Sequence, residues 1–239
     1  MDHVRPAQPA PVPAYPPERV KVIACATVLE EMAPWMPPAM AREVLDFGLH
    51  TRPGALNDAL QAAIDASPAY DAILLGYGLC SRAVVGLRAT HARLVLPRVH
   101  DCISIFLGSR DAYEVQARGE PGTYYVTKGW LQAGDGPFAD VARLAERYGQ
   151  EKPELIIRLM LRNYTRLAFI ETGALDAERY RAEARAAAAR HGLRFEQIEG
   201  SPGLIRRLLE GPWDGDFVVV EPGEQVEMGP FLAEAGGVG

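Results

Sequence analysis

"VKVIACATVLEEM", Val20–Met32, is the stretch on which the fold turns. A short run rich in β-branched and aliphatic residues passes directly into a run with helical spacing, and Cys25 stands at the join. The first half reads as a strand buried on both faces, the second as a helix packed back onto it.

The same succession recurs along the chain. Further β-rich runs are "VLDFGLH", "YDAILLGYG", "ARLVLPRV", "TYYVT", "RLAFIET", "RFEQIEG" and "DFVVVEP". Between them lie helical patterns such as "PGALNDALQAAIDAS", with Pro53 in its first turn, and "DAERYRAEARAAAARHG", with Asp176 as N-cap and Gly192 as stop. The second is alanine and charge, which predicts a solvated helix. Apolar strands alternating with helices predict an α/β fold: a doubly wound, mainly parallel sheet with helices on both faces, with room for two sub-units around a cleft. Residues 1–19 hold six prolines and read as a disordered tail. Residues 20–130 form a first α/β unit, 131–165 a helical connection, and 166–239 a second α/β unit.

The chain has 239 residues, 48% of them hydrophobic, enough for a large core. A formal net charge of −6 leaves no basic face for a phosphate backbone, which argues against nucleic acid and for a small-molecule substrate. No apolar run reaches the ~20 residues of a membrane span, and the start lacks the apolar core of a signal peptide. The expected compartment is the cytoplasm. Three cysteines without paired spacing do not make a disulfide framework; they are ligands, nucleophiles or buried residues. Nothing in the sequence fixes the oligomeric state.

Cys25 follows "VKVIA", Cys80 follows "AILLGYGL" and Cys102 follows "RLVLPRVHD", each ahead of a helical run. In a doubly wound sheet the carboxyl ends of strands share one edge, where ligands bind, so the three thiols are expected to converge. His50 ends "VLDFGLH" in an equivalent position, and His100 and Asp101 directly precede Cys102. Lone histidines such as His91 and His191, near helix ends, are assigned to structure.

The blocks "VIAC", "GYGLC", "PRVHDCI…LGSR", "GTYY…GW" and "FIETG", taken in order, resemble domain-of-unknown-function family 1638 over nearly all of the chain after the tail. The resemblance implies one evolutionary unit and an association with corrinoid-dependent methyl transfer. It implies no defined activity.

Three chemistries suit the residues. Cys25, Cys80 and Cys102, with His50 or His100, match the donor set of zinc, and three cysteines also hold an iron–sulfur cluster with one iron open to substrate. A metal-free alternative makes Cys80 or Cys102 a nucleophile, with His100 as base and Asp101 or a distant carboxylate orienting it. "GYGLC" lacks the spacing of a nucleophile elbow and the third glycine of a dinucleotide fingerprint. The third reading is an accessory protein that holds a metal, a corrinoid or a small anion. In all three, Gly76 and Gly78 would allow backbone to pass close to a ligand, and Arg82 and Arg110 would clamp an anion. Lys128 and Trp130 would close over the site, and Glu171, Glu221 and Glu224 would face it from the second unit unless they serve turns.

Overall fold

The computed structural model describes residues 15–133, 153–173 and 176–232. Two sheets organise them. The larger contains β1 (Val20–Cys25), β2 (Ala41–Leu45), β3 (Ala72–Gly76), β4 (Arg93–Pro97) and β8 (Phe217–Val220) in the order β2-β1-β3-β4-β8. The smaller contains β5 (Thr123–Val126), β6 (Arg166–Glu171) and β7 (Arg194–Glu199) in that order. Every pairing is parallel except β4 with β8, which is antiparallel.

The strand patterns follow from position. β3 is buried at all five residues and β1 at all but Lys21, because these central strands are covered on both faces. Edge strand β2 alternates between half-buried and exposed residues. Helices α1 (Ala26–Met32), α2 (Pro53–Asp65), α3 (Cys102–Leu107) and α4 (Arg110–Gly119) follow β1, β2 and β4, and α5 (Lys128–Ala133) follows β5. α6 (Pro153–Leu161) leads into β6, α7 (Ala177–His191) into β7, and α8 (Gly203–Glu210) into β8; α9 (Gly229–Leu232) comes last. α7 buries only Ala184, Ala187 and Ala188 and ends on Gly192 at φ 70°, as a solvated helix with a glycine stop should. Among the described residues, no helix is long and apolar enough to cross a membrane.

The structure departs from the sequence reading at four places. β5, placed in the first unit by its position, pairs with β6, whereas β8, placed in the second, pairs with β4. Strand β2 stops at Leu45, because the Asp46 carboxylate accepts the Gly48 N–H at 2.7 Å and turns Phe47–Thr51 into a 3-10 helix. His50 therefore sits on that turn and not at a strand end. The last residues of the expected tail are ordered: Pro17–Arg19 form a 3-10 turn, Tyr15 stacks on Trp213 at 6.2 Å, and Arg19 pairs with Asp71. Asp176 precedes α7 in a left-handed conformation, φ 63°, without a side-chain capping bond. Residues 1–14 of that tail and residues 134–152 of the expected helical connection lie outside the described residues.

The carboxyl ends of the two sheets face each other. Beyond β6, Thr172 donates its hydroxyl to Glu31 of α1 at 2.5 Å; beyond β7, Ser201 donates its N–H to the Phe106 carbonyl of α3 at 2.9 Å. Glu31, 4% exposed, also accepts the Gly129 N–H at 2.8 Å from the start of α5. A buried carboxylate with two donors thus ties α1 to the segments that follow β5 and β6.

Candidate functional site

Three strand ends place the cysteines on the carboxyl edge of the larger sheet. Ala24 pairs with Gly76 in the β1–β3 ladder, so the next residues on each strand, Cys25 and Tyr77, are neighbours. Beyond β3 the chain runs beside the segment after β4: Leu79 donates its N–H to Val99 at 2.8 Å and Cys80 donates to His100 at 3.0 Å. Cys102 opens α3 two residues later, behind Asp101, whose carboxylate accepts the Ile103 N–H at 3.0 Å as helix cap.

Gly76 and Gly78 make this approach possible. A Cβ on Gly78 would lie 2.7 Å from the Val99 carbonyl oxygen and 2.9 Å from the Asp101 nitrogen; one on Gly76 would lie 2.6 Å from the Ala24 Cβ. Their missing side chains leave room for protein, not for a substrate as the sequence reading expected.

Cys80 and Arg82 both have positive φ, 44° and 71°, within one 3-10 turn. Side chains seldom adopt that region, and each residue there costs about 1–3 kcal/mol that the surrounding structure must supply. The strain fixes the direction in which the Cys80 thiol leaves the backbone.

The thiols feel one another. Burial pushes the Cys25 thiol above its ordinary value, with the amides of Val28 and Thr27 working against it. Cys80 is pushed up to about 12, by burial and then by Cys25 and Asp101. Cys102 rises well above its ordinary value through burial, then Cys25 and Cys80. A single thiolate is therefore disfavoured at each position by desolvation, and at Cys80 and Cys102 also by neighbouring sulfurs. Among the described residues, no group of three or more His, Cys, Asp or Glu side chains is already gathered at metal-holding separation.

His50 lies against this cluster. Its ring stacks on Phe47 at 5.0 Å and on Tyr77 at 5.8 Å, and Nδ1 stands 2.9 Å from the Phe47 carbonyl. A carbonyl only accepts, so Nδ1 carries the proton and Nε2 keeps a lone pair. Burial lowers the His50 pKa and keeps the ring neutral, the form that ligates metals.

The remaining expected site residues divide. Burial raises the Asp101 pKa, against the amides of Ile103 and Ser104 and the neighbouring His100, while its carboxylate caps α3; among the described residues no hydrogen bond joins it to the His100 side chain. Arg110 pairs with Glu114 at 3.0 Å along α4, and Arg82 is exposed. Lys128 lies over the Tyr180 ring, whereas Trp130 meets Phe47 edge-on at 5.1 Å and continues the aromatic wall behind His50. Glu171 accepts from Gly173, Glu224 from the Glu221 N–H, and Glu221 pairs with Arg93, so all three serve turns and surface pairing.

The sequence reading missed two residues. Tyr77 is 1% exposed, its ring stacked on His50 and its hydroxyl without a hydrogen-bond partner; its place between two glycines ahead of Cys80 was the available signal. Glu31 could have been found from helical spacing, since it lies four residues past Thr27 on the buried face of α1.

These features define an α/β protein of two facing sheets with three buried or half-buried thiols at the carboxyl edge of the larger one. No curated protein and no solved structure matches it. The chain belongs to the family described as protein of unknown function (DUF1638), whose model matches residues 44–209. That span includes Cys80 and Cys102 and begins after Cys25 and its "VIAC" block.

Proposed function

We propose that Cys25, Cys80 and Cys102 are thiolate ligands of one metal centre, zinc or an iron–sulfur cluster, in an enzyme that acts on a small polar molecule. The observation that supports this reading is the placement of the three thiols at neighbouring strand ends, where β1 pairs with β3 and the segment after β3 bonds to the segment after β4. Without a cation, burial disfavours ionisation of each thiol, and at Cys80 and Cys102 neighbouring sulfurs add to it, which leaves none of them a ready nucleophile. A bound cation reverses the sign of that environment: it ionises all three thiols and repays their burial. Binding itself would draw the sulfurs to ligating distance. Neutral His50, with Nε2 unprotonated, supports it as the fourth donor or as a neighbour to the centre. Three free thiols are in keeping with a reducing compartment, the cytoplasm.

Metal analysis combined with an absorption spectrum of protein purified without oxygen tests the proposal. A brown protein with iron and sulfide identifies a cluster, and colourless protein with stoichiometric zinc identifies a zinc site. Protein that holds no metal and takes up neither zinc nor iron with sulfide overturns the reading.

A further inference from the structure

Glu31 has a carboxylate that the fold has buried without a cation. The residue is 4% exposed, and its two oxygens accept the Gly129 N–H at 2.8 Å and the Thr172 hydroxyl at 2.5 Å. Both donors are neutral, and among the described residues no lysine, arginine or histidine pairs with this carboxylate. Buried charges are ordinarily matched by an opposite charge, because neutral donors replace only part of the lost hydration. Position adds to the cost. Glu31 lies in the last turn of α1, which holds no basic residue and where the backbone dipole favours a cation over an anion.

The surroundings suit an ammonium group. A carboxylate offers about four acceptor sites, so its two neutral donors leave room for more. Thr27 stands one helical turn before Glu31, on the same face of α1; it is 0% exposed and its hydroxyl has no hydrogen-bond partner. The start of α5 lies against that face, since a Cβ on Gly129 would stand 2.5 Å from the Thr27 carbonyl oxygen and 3.3 Å from Glu31 Oε1. The next residue, Trp130, has an indole N–H that is buried and likewise unpartnered. Between α1 and α5 there is thus a carboxylate short of a cation, a hydroxyl able to accept and an N–H able to donate. We infer that this seam binds a small amine that also bears an oxygen: the ammonium group sits on Glu31 and Thr27, and the oxygen accepts from Trp130. The ligand enters where the segments after β5 and β6 meet α1. No metal takes part in this binding, so it stands or falls apart from the metal reading above.

Titration of nitrogen-15-labelled, full-length protein with ethanolamine at neutral pH, where the amine is protonated, supplies the test. The readout is the set of indole N–H signals from the three tryptophans, among which Trp130→Phe identifies that of Trp130. Ethylene glycol is the matched neutral probe, and ethylamine is the amine without the oxygen. Ethanolamine is expected to shift the Trp130 signal saturably, with a Kd on the order of 1 mM for so small a ligand, and ethylene glycol to leave it in place. Ethylamine should bind about 2- to 10-fold more weakly than ethanolamine, the loss of one hydrogen bond. Glu31→Gln, which keeps an acceptor oxygen and loses the charge, is expected to weaken ethanolamine binding by about 10-fold or more, and Thr27→Val by about 2- to 10-fold. A Trp130 signal that ethanolamine does not move, ethylene glycol bound as tightly as ethanolamine, or equal ethanolamine affinity in wild type and Glu31→Gln overturns the inference. The comparison of ethanolamine with ethylene glycol uses wild type alone, so it decides even if Glu31→Gln or Thr27→Val folds poorly.

Discussion

Thr172 and Glu31 lie 141 positions apart in the chain and are joined by a hydrogen bond of 2.5 Å between hydroxyl and carboxylate. With the Gly129 N–H at 2.8 Å on the other oxygen, the Glu31 carboxylate has a donor from each of two segments that flank the cleft. Glu31→Gln replaces one acceptor oxygen with an amide that must face a donor. It is expected to destabilise the protein by about 1–3 kcal/mol, read from the urea midpoint, with Thr172→Val costing less. A midpoint unchanged in Glu31→Gln would show that the carboxylate does not hold the cleft.

The cysteines should act as a set. Cys25→Ser, Cys80→Ser and Cys102→Ser are each expected to lose the bound metal, since each removes one thiolate from a common centre. If a nucleophile is at work instead, one substitution alone abolishes activity while metal content and fold persist in all three. Equal metal content in wild type and all three variants sinks the common centre.

Gly78→Ala should disturb the site without touching any ligand. The added methyl meets the Val99 carbonyl at 2.7 Å and the Asp101 nitrogen at 2.9 Å, so the strand-end segments carrying Cys80 and Cys102 must separate. A loss of about 1–3 kcal/mol and weakened metal binding are expected together. Gly54→Ala, in α2 with nothing within 4 Å of the new methyl, is the matched control and should be neutral or stabilising by up to about 1 kcal/mol. Equal behaviour of the two variants would remove the packing argument.

In metal-free protein, the thiols set an alkaline limit. An unfolded chain releases the Cys80 proton near the ordinary value of 9.0, whereas the folded chain holds it to about 12. Between those values the unfolded state binds fewer protons, so stability is fully present below pH 9 and falls as pH rises through the window. Urea midpoints measured from pH 7 to 10 should decline above 9, and Cys80→Ser should flatten that decline. A midpoint constant to pH 10 would argue against the burial that raises the thiol.

Tyr15 makes a smaller claim. It stacks on Trp213 at 6.2 Å and lies 5.7 Å from the Arg93 guanidinium, so Tyr15→Ala is expected to lower stability by about 1 kcal/mol in thermal melts. No change would show that the stacking on Trp213 adds nothing to stability.

Much of the fold was legible in sequence because strands buried on both faces have a pattern that little else produces: "VKVIAC" and "AILLG" could hardly be placed elsewhere. The position of the three cysteines beyond the carboxyl ends of β1, β3 and β4 followed from topology alone. Partner choice was not legible, since "TYYV" and "FVVV" are equally good strands for either sheet and their places depend on long-range pairing. His50 was misplaced because Asp46 turns the backbone locally, which hydrophobic periodicity does not register. The Arg110 pair was not legible either, since position near a helix amino end does not say where a long charged side chain points, and Arg110 found a partner on its own helix. Tyr77 went unnoticed because its significance is an unmet bond, and a sequence has no mark for that.

The antiparallel return of β8 to β4 has a consequence for how the chain is made. Synthesis delivers β1 to β4, then every strand of the other sheet, and only afterwards the strand that covers β4. Throughout that interval the Leu94–Pro97 edge offers open backbone donors and acceptors to any passing strand. A nascent chain stalled before Phe217 should therefore be more dependent on chaperones than its well-filled core suggests, and a truncation at that point should aggregate through β4.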